Sequence, residues 1–304
     1  MKHLDLTDLN HEAEAAWNGV LDLAEACPEG WALAGGQAVF VQTELRGETP
    51  ARPSSDADLI IDLRADPGAA RRIVAALRQM GFEGTKPDAN GVRHRWFRGD
   101  AQIDVLQPRY LGDRVEKRLA REGLETIAAP GAQHLLSRTE RVEITLGART
   151  MPIRTPTALG IIVAKAAGFQ EIVIDPERVR HLADILTVGS LMESEDLENE
   201  AAYTRLEAQR VGNAIGKIRL GRYTKELRAW FPEGIDDRLE ALARVHRAHS
   251  RKPIEARPLG KLEMTAEQAA IAPASETPWD GSWPHAQGGQ GRIDPGHGGP
   301  SYGM

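Results

Sequence analysis

Trp31-Ala-Leu-Ala-Gly-Gly-Gln-Ala-Val-Phe40 and Arg52-Pro-Ser-Ser-Asp-Ala-Asp-Leu-Ile-Ile-Asp-Leu63 decide how this chain reads. The first stretch is a short apolar run that ends in Gly35-Gly36, after which Gln37 to Leu45 resumes a helical pattern, so it predicts strand, glycine turn and helix. Arg46 to Ser55 is rich in Gly, Pro, Ser and charge and reads as a loop. It delivers the chain into a strand over Asp56 to Leu63 with a β-branched centre. Residues i and i+2 of an extended chain project from one face, so the carboxylates of Asp56 and Asp58 converge. Carboxylate clusters hold Mg²⁺, and a divalent ion beside a glycine turn can clamp nucleotide phosphates. A third acid on a neighbouring strand would complete such a site. Asp104 in Gln102-Ile-Asp-Val-Leu106 qualifies, because a lone carboxylate in an apolar strand is costly to bury without a metal or a basic partner. Asp62 continues the alternation but lies at the far end of the strand and reads as an exposed terminus.

Outward from this block, Asn10 to Ala26 predicts a helix with Asn10 as cap and Pro28 as terminator, and Pro67 to Met80 predicts another, closed by Gly81. Val92 to Arg98 and Ala101 to Leu106, joined by Gly99-Asp100, read as a hairpin. Residues 109 to 123 look helical. Val142 to Leu146 and Thr150 to Arg154 form a second hairpin, and Thr155 to Gly168 and Pro176 to Val188 are helices, with Thr155-Pro156 as cap and first turn. An acidic break at 193 to 200 precedes a helical region that ends near Lys252. The last 24 residues, Gly281 to Met304, hold eight glycines and almost no aliphatic residues, so a flexible tail is expected over 253–304. The expected organisation is a mixed α/β core over 1–130, a hairpin and helices over 131–190 that complete a cleft, and helices over 191–252.

The composition suits a soluble globular chain: 304 residues, 41% hydrophobic and 27% charged. With 38 Lys and Arg against 44 Asp and Glu, the net charge of −6 gives no overall attraction for nucleic acid, and any such binding needs a local patch. The single cysteine, Cys27, excludes an intramolecular disulfide and a multi-Cys zinc site. The N-terminus is too acidic and polar for a signal peptide and no apolar stretch is long enough to span a bilayer, so a cytoplasmic location with no membrane partner is expected.

In order, the Gly35-Gly36 turn, a helix, Arg52-x-Ser54-x-Asp56-x-Asp58-Leu59 and Asp104 on a later strand together resemble the nucleotidyltransferase superfamily that includes DNA polymerase beta. The match is closest to AbiEii-type toxins of type IV toxin–antitoxin systems. Thr155-Pro-Thr-Ala-Leu-Gly-Ile-Ile-Val-Ala-Lys165 and Arg180-His-Leu-Ala-Asp184-Ile-Leu186 resemble that branch's later motifs, so the similarity covers residues 30 to 190. Many superfamily members have Gly-Ser where this chain has Gly35-Gly36, which leaves backbone amides in place of a hydroxyl. The resemblance implies a mixed-sheet nucleotidyltransferase core flanked by helices. It also implies two Mg²⁺ ions on Asp56, Asp58 and Asp104, Asp104 helping to deprotonate an attacking hydroxyl, and Lys165 meeting the triphosphate of an NTP. Gly35, Gly36, Arg52, Ser54, Ser55, Lys165 and Asp184 are the implied nucleotide-binding residues. His181 reads as structural or superficial, and His94 faces the site or solvent according to strand parity.

The implied reaction is NMP transfer to an acceptor hydroxyl, with tRNA or another RNA as acceptor and an antitoxin as partner. Two basic regions could serve RNA: residues 109 to 154, and residues 205 to 251 with 11 basic against 6 acidic residues. The bland account is solvated helix faces with paired acids. The alternatives are an aminoglycoside-type enzyme acting on a small hydroxylated substrate, which an acidic cleft would favour, and a degenerate nucleotide-binding protein, whose three acids would fail to converge.

Overall fold

The structure is a computed structural model that describes residues 1–251 apart from 53, 87–92, 125, 173–177, 194, 195, 197 and 199. The chain divides into two units, Met1–Ile254 and Glu255–Met304. The second, and with it the expected tail, lies outside the described residues.

The elements follow from their local chemistry. Strand β1 (Lys2–Asp5) precedes helix α1 (His11–Ala26). Asn10 caps α1, its Oδ1 accepting the Ala13 N–H at 2.8 Å, and the apolar stripe through Ala16, Trp17, Val20, Leu21 and Leu23 is buried. Cys27 ends α1, and Pro28 cannot continue it. Strand β2 (Trp31–Ala34) turns at once into helix α2 (Gly35–Glu44), followed by strand β3 (Ala57–Ile61) and helix α3 (Ala69–Gln79). Then come β4 (Glu83–Gly84), β5 (Arg95–Arg98), β6 (Ala101–Pro108), α4 (Asp113–Glu122), β7 (Ile127–Ala129), α5 (Ala132–Ser137), β8 (Thr139–Leu146) and β9 (Arg149–Pro156). Five helices complete the described chain: α6 (Ala158–Glu171), α7 (Val179–Ser190), α8 (Arg205–Arg219), α9 (Thr224–Trp230) and α10 (Ile235–Arg251).

The main sheet is six-stranded in the order β2-β3-β6-β5-β4, with β7 pairing β6, and a second sheet runs β1-β8-β9. Both mix parallel and antiparallel pairs: β3 and β6 are parallel, β2–β3 and β5–β6 antiparallel, and β1 is parallel to β8. The expected mixed α/β class with a helical C-terminal region is therefore the observed one. One face of the main sheet buries Leu33, Leu59, Ile61, Ile103 and Val105 in the large core; on the other face Ile60 packs with Ala132, Leu135 and Leu136. The acids belong to this second face. No helix among the described residues is long and apolar enough to cross a membrane.

Several boundaries differ from the sequence reading. Residues 109–112 are not helical: Tyr110 and Gly112 take positive φ, and the helix starts at Asp113. Thr155-Pro156 finishes β9 instead of opening a helix; the N-cap of α6 is Thr157, which accepts the Gly160 N–H at 3.2 Å. Strands β1, β4 and β7 and helix α5 are additions. The expected start of α7 at Pro176 falls outside the described residues. Asp62 is a correction: it is buried, its Oδ2 accepts from Arg154 Nη1 at 2.8 Å, and its Oδ1 accepts the Ala65 N–H at 3.2 Å. A strand terminus reads as exposed only until a second sheet, here β9, is laid against it.

Candidate active site

Strands β3 and β6 lie side by side in parallel register with Asp58 opposite Asp104. Asp56 immediately precedes β3 on the same side, and one carboxylate oxygen from each of Asp56, Asp58 and Asp104 falls within 4.8 Å of the others. The glycine turn sits against this cluster. Gly35 has φ +62°, and a Cβ there would fall 1.7 Å from Asp58 Oδ2. A Cβ on Gly36 would fall 2.4 Å from both Cβ and Oγ of Ser54. Two glycines are thus what lets strand β3 and its preceding loop close onto the start of α2. Ser54 fills the space beside Gly36, and its hydroxyl donates to Asp56 Oδ1 at 2.8 Å. Gln37 holds the loop, its Nε2 donating to the Ser54 carbonyl at 2.8 Å while its Oε1 accepts from Trp17 Nε1 at 2.9 Å.

The electrostatics of the cluster are uneven. Burial, reinforced by the neighbouring Asp56 and Asp104 carboxylates, pushes Asp58 up to about 7. Among the described residues no hydrogen bond reaches its carboxylate. Asp104, by contrast, is well supplied: Arg95 Nε donates to Oδ1 at 3.0 Å, Arg95 Nη2 to Oδ2 at 2.9 Å, and Gln102 Nε2 to Oδ1 at 3.2 Å. Arg95 is the basic partner that the apolar setting of Asp104 demanded. An all-carboxylate donor set suits a hard divalent cation such as Mg²⁺ or Mn²⁺, and a half-buried carboxylate crowded by two others is the group such an ion would relieve. The residues fit the ion.

Helices α6 and α7 bring up a second polar group. Asp184 on α7 is buried and takes Lys165 Nζ at 2.6 Å, Arg52 Nε at 3.1 Å and Arg52 Nη2 at 3.0 Å. Burial would push the Asp184 carboxyl up, but Lys165 and Arg52 outweigh it and hold it below the ordinary range. Lys165 and Arg180 lie near enough to Asp58 to favour its ionised form. His181 packs against Gly168, where a Cβ would meet its Nε2 at 3.3 Å. Among the described residues neither of its ring nitrogens has a hydrogen-bond partner, and burial, then Lys165, pushes it down to about 3, so the ring is neutral.

No family model matches the chain, and no curated protein matches it. Among solved structures it is similar to an antigenic nucleotidyltransferase-like protein from Paracoccidioides brasiliensis, at 14% identity and a TM-score of 0.44, over 77% of this chain and 95% of that one. A likeness of that size carries no conclusion here.

The structure therefore gathers Asp56, Asp58, Asp104, Gly35, Gly36 and Ser54 at one place, with Arg52, Lys165 and Asp184 joined beside them. Ser55 is exposed. His94 precedes β5, its carbonyl accepting the Val105 N–H at 2.7 Å. The residue that sequence reasoning missed is Arg95. Its signal was present: a two-residue Gly99-Asp100 link pairs Arg98 with Ala101, and counting back through the hairpin places Arg95 opposite Asp104. Many of the basic residues of 109–154, but only Arg210, Arg219 and Arg247 among those of 205–251, have an ion-pair partner among the described residues. Arg109 pairs with Glu171, Arg141 with Glu29, Arg149 with Asp22, Arg154 with Asp62, and both Arg219 and Arg247 with Glu240.

Proposed function

We propose that this chain is a metal-dependent nucleotidyltransferase that moves a nucleoside monophosphate from an NTP to an acceptor hydroxyl. The single observation that carries the reading is the meeting of Asp56, Asp58 and Asp104 within 4.8 Å beside a glycine turn that only glycine can make. Two Mg²⁺ ions bound there would stabilise the attacking and leaving oxygens of an in-line displacement. The chain's own groups do the rest. The backbone at Gly35-Gly36, at the N-terminal end of α2, offers N–H groups and the positive end of the helix dipole to a phosphate. Ser54 stands beside it with a hydroxyl. Asp104 would take the proton of the attacking hydroxyl, and Lys165, with one donor on Asp184 and others to spare, would meet the triphosphate as a point charge.

Four cations, Arg52, Arg95, Lys165 and Arg180, act on the acids. These cations would favour an anionic acceptor such as RNA over a cationic antibiotic. A toxin-like role with tRNA as acceptor and an antitoxin as partner rests on the resemblance of the motifs alone. The test is incubation with each labelled NTP, Mg²⁺ and total RNA, alongside Asp56→Ala. Label entering RNA only with the unmutated protein supports the reading; no transfer from any NTP, or equal transfer by the variant, defeats it.

A further inference from the structure

We propose that Arg95 is the resident counter-ion of Asp104 and surrenders that carboxylate when a divalent cation binds the acid cluster; this rests on the acid cluster being a metal site. Asp104 is nearly sealed, with its side chain 8% exposed, and its charge needs a partner when no ion is bound. Arg95 provides that partner with a two-pronged fork, Nε on Oδ1 at 3.0 Å and Nη2 on Oδ2 at 2.9 Å, and Gln102 adds a third donor to Oδ1. Both Asp104 oxygens therefore already accept from donors with which an ion would compete. The same Gln102 amide also reaches Asp56 Oδ2 at 3.5 Å, so one donor already spans two of the three acids.

The two partners differ in their freedom to move. Asp104 is fixed in the middle of β6, between Ile103 and Val105, which are buried in the core. Arg95 is the first residue of β5 and its side chain is 40% exposed. The guanidinium can swing into solvent while the carboxylate stays. The direct cross-strand pairing of the two residues keeps the freed arginine beside the cluster. A guanidinium left on Asp104 would stand within a few ångströms of a divalent ion, and like charges at that range repel strongly. From the margin of the cluster it can receive an anionic group of the substrate. Arg95 is thus a positioning residue: it holds the Asp104 carboxylate oriented before the ion arrives, and its exchange sets the affinity for the ion.

The test is Mn²⁺ binding, followed by electron paramagnetic resonance of the free ion, to the unmutated protein, Arg95→Gln and Asp56→Asn, with thermal melts to verify folding. Arg95→Gln should bind Mn²⁺ at least about tenfold more tightly, because a competing positive charge is gone. Unchanged or weaker binding, with the unmutated protein binding normally, overturns the exchange and leaves the metal site standing. Absence of binding by both, or binding that Asp56→Asn does not weaken, defeats the metal site and the exchange with it. A second measurement needs no folded variant at Arg95. In a ¹H–¹⁵N spectrum of the unmutated protein, the Arg95 Nε–Hε signal should leave its carboxylate-bonded position on saturation with Mg²⁺. A signal that stays in place at saturation shows Arg95 still on Asp104 and overturns the proposal.

Discussion

The carboxylate of Asp58 lies across Gly35, so that a side chain begun at residue 35 would fall 1.7 Å from Asp58 Oδ2. Gly35→Ala therefore meets two penalties, a positive φ and a collision with a candidate metal ligand. Gly47 supplies the comparison: its φ is +70°, and among the described residues nothing lies within 4 Å of where a Cβ would stand. Gly47→Ala should cost about 1 kcal/mol from backbone strain alone, and Gly35→Ala at least about 2 kcal/mol more, with loss of Mn²⁺ binding. Chemical denaturation and metal titration of the two variants check this. Equal destabilisation with metal binding intact would disprove the close approach.

The ionisation of Asp58 predicts a pH dependence whose sign is fixed. Its carboxyl, raised from 3.8 to about 7 by burial and by Asp56 and Asp104, holds a proton in the folded chain that the unfolded chain has already lost. Between those values the folded state binds more protons, so this group's contribution to stability falls as pH rises and is lost through about pH 7. Metal-free protein should gain stability on acidification across this window relative to Asp58→Asn, which lacks the titration. Cation affinity should run the opposite way, dropping about tenfold for each pH unit below the Asp58 value, since the ion displaces a proton. Melting and metal titration from about pH 5 to 8 check both; parallel profiles for the two proteins would refute the assignment.

How much of this is legible in the sequence follows the range of each interaction. The turn-helix-loop-strand block from Trp31 to Ile61 is local, and the convergence of Asp56 and Asp58 needs only the two-residue repeat of a strand. The partnership of Asp104 with a cation was implied by its apolar neighbours, and the register of a tight hairpin even fixed which cation. The bonds from Arg52 and Lys165 to Asp184 were not derivable from spacing, because they span the packing of α6 and α7 against the loop before β3. The pairing of β1 with β8 was hidden for the same reason: Lys2–Asp5 is short and polar, and only a distant partner strand makes it extended. Asp62 read as exposed because the sheet that covers it enters the sequence some ninety residues later, at Arg154.

Asp184 ties two cations together in a buried place, and this predicts a large and non-additive response. Asp184→Ala leaves Lys165, with its side chain 11% exposed, and Arg52 without their shared acceptor, and should cost about 3–5 kcal/mol. Lys165→Met keeps the Arg52 fork on Asp184 and should cost less. Combined with Asp184→Ala, it should add less than its separate cost, with a coupling of about 1–3 kcal/mol. A double-mutant cycle by urea denaturation measures this term, and strict additivity would show that the 2.6 Å contact does not hold in solution.

Arg138 joins the start of the second sheet to helix α8, and the acid stability of the protein should depend on it. Its guanidinium, side chain 7% exposed, donates Nη2 to Glu207 Oε2 at 2.9 Å and to the Ala202 carbonyl at 2.9 Å, while Nη1 donates to the Ala201 carbonyl at 2.9 Å. Glu207 also closes the capping box of α8, accepting the Thr204 N–H at 2.7 Å and returning its own N–H to Thr204 Oγ1 at 3.3 Å. Burial pushes the Glu207 carboxyl up, yet hydrogen bonds from His134, Arg138 and Thr204 bring it down to about 2. For a depressed carboxyl the stabilisation is complete above the ordinary value of 4.5 and disappears as pH falls through about 2. Arg138→Met should cost about 3–5 kcal/mol at neutral pH, because it strands a buried carboxylate. It should also move the acid-unfolding midpoint upward, since Glu207 then protonates more readily. Glu207→Gln should lose the acid dependence while keeping most of the cap, as a glutamine oxygen still accepts the Thr204 N–H. Acid titrations followed by circular dichroism distinguish the three proteins, and an unchanged midpoint in Arg138→Met would show that Glu207 is not held down by that arginine.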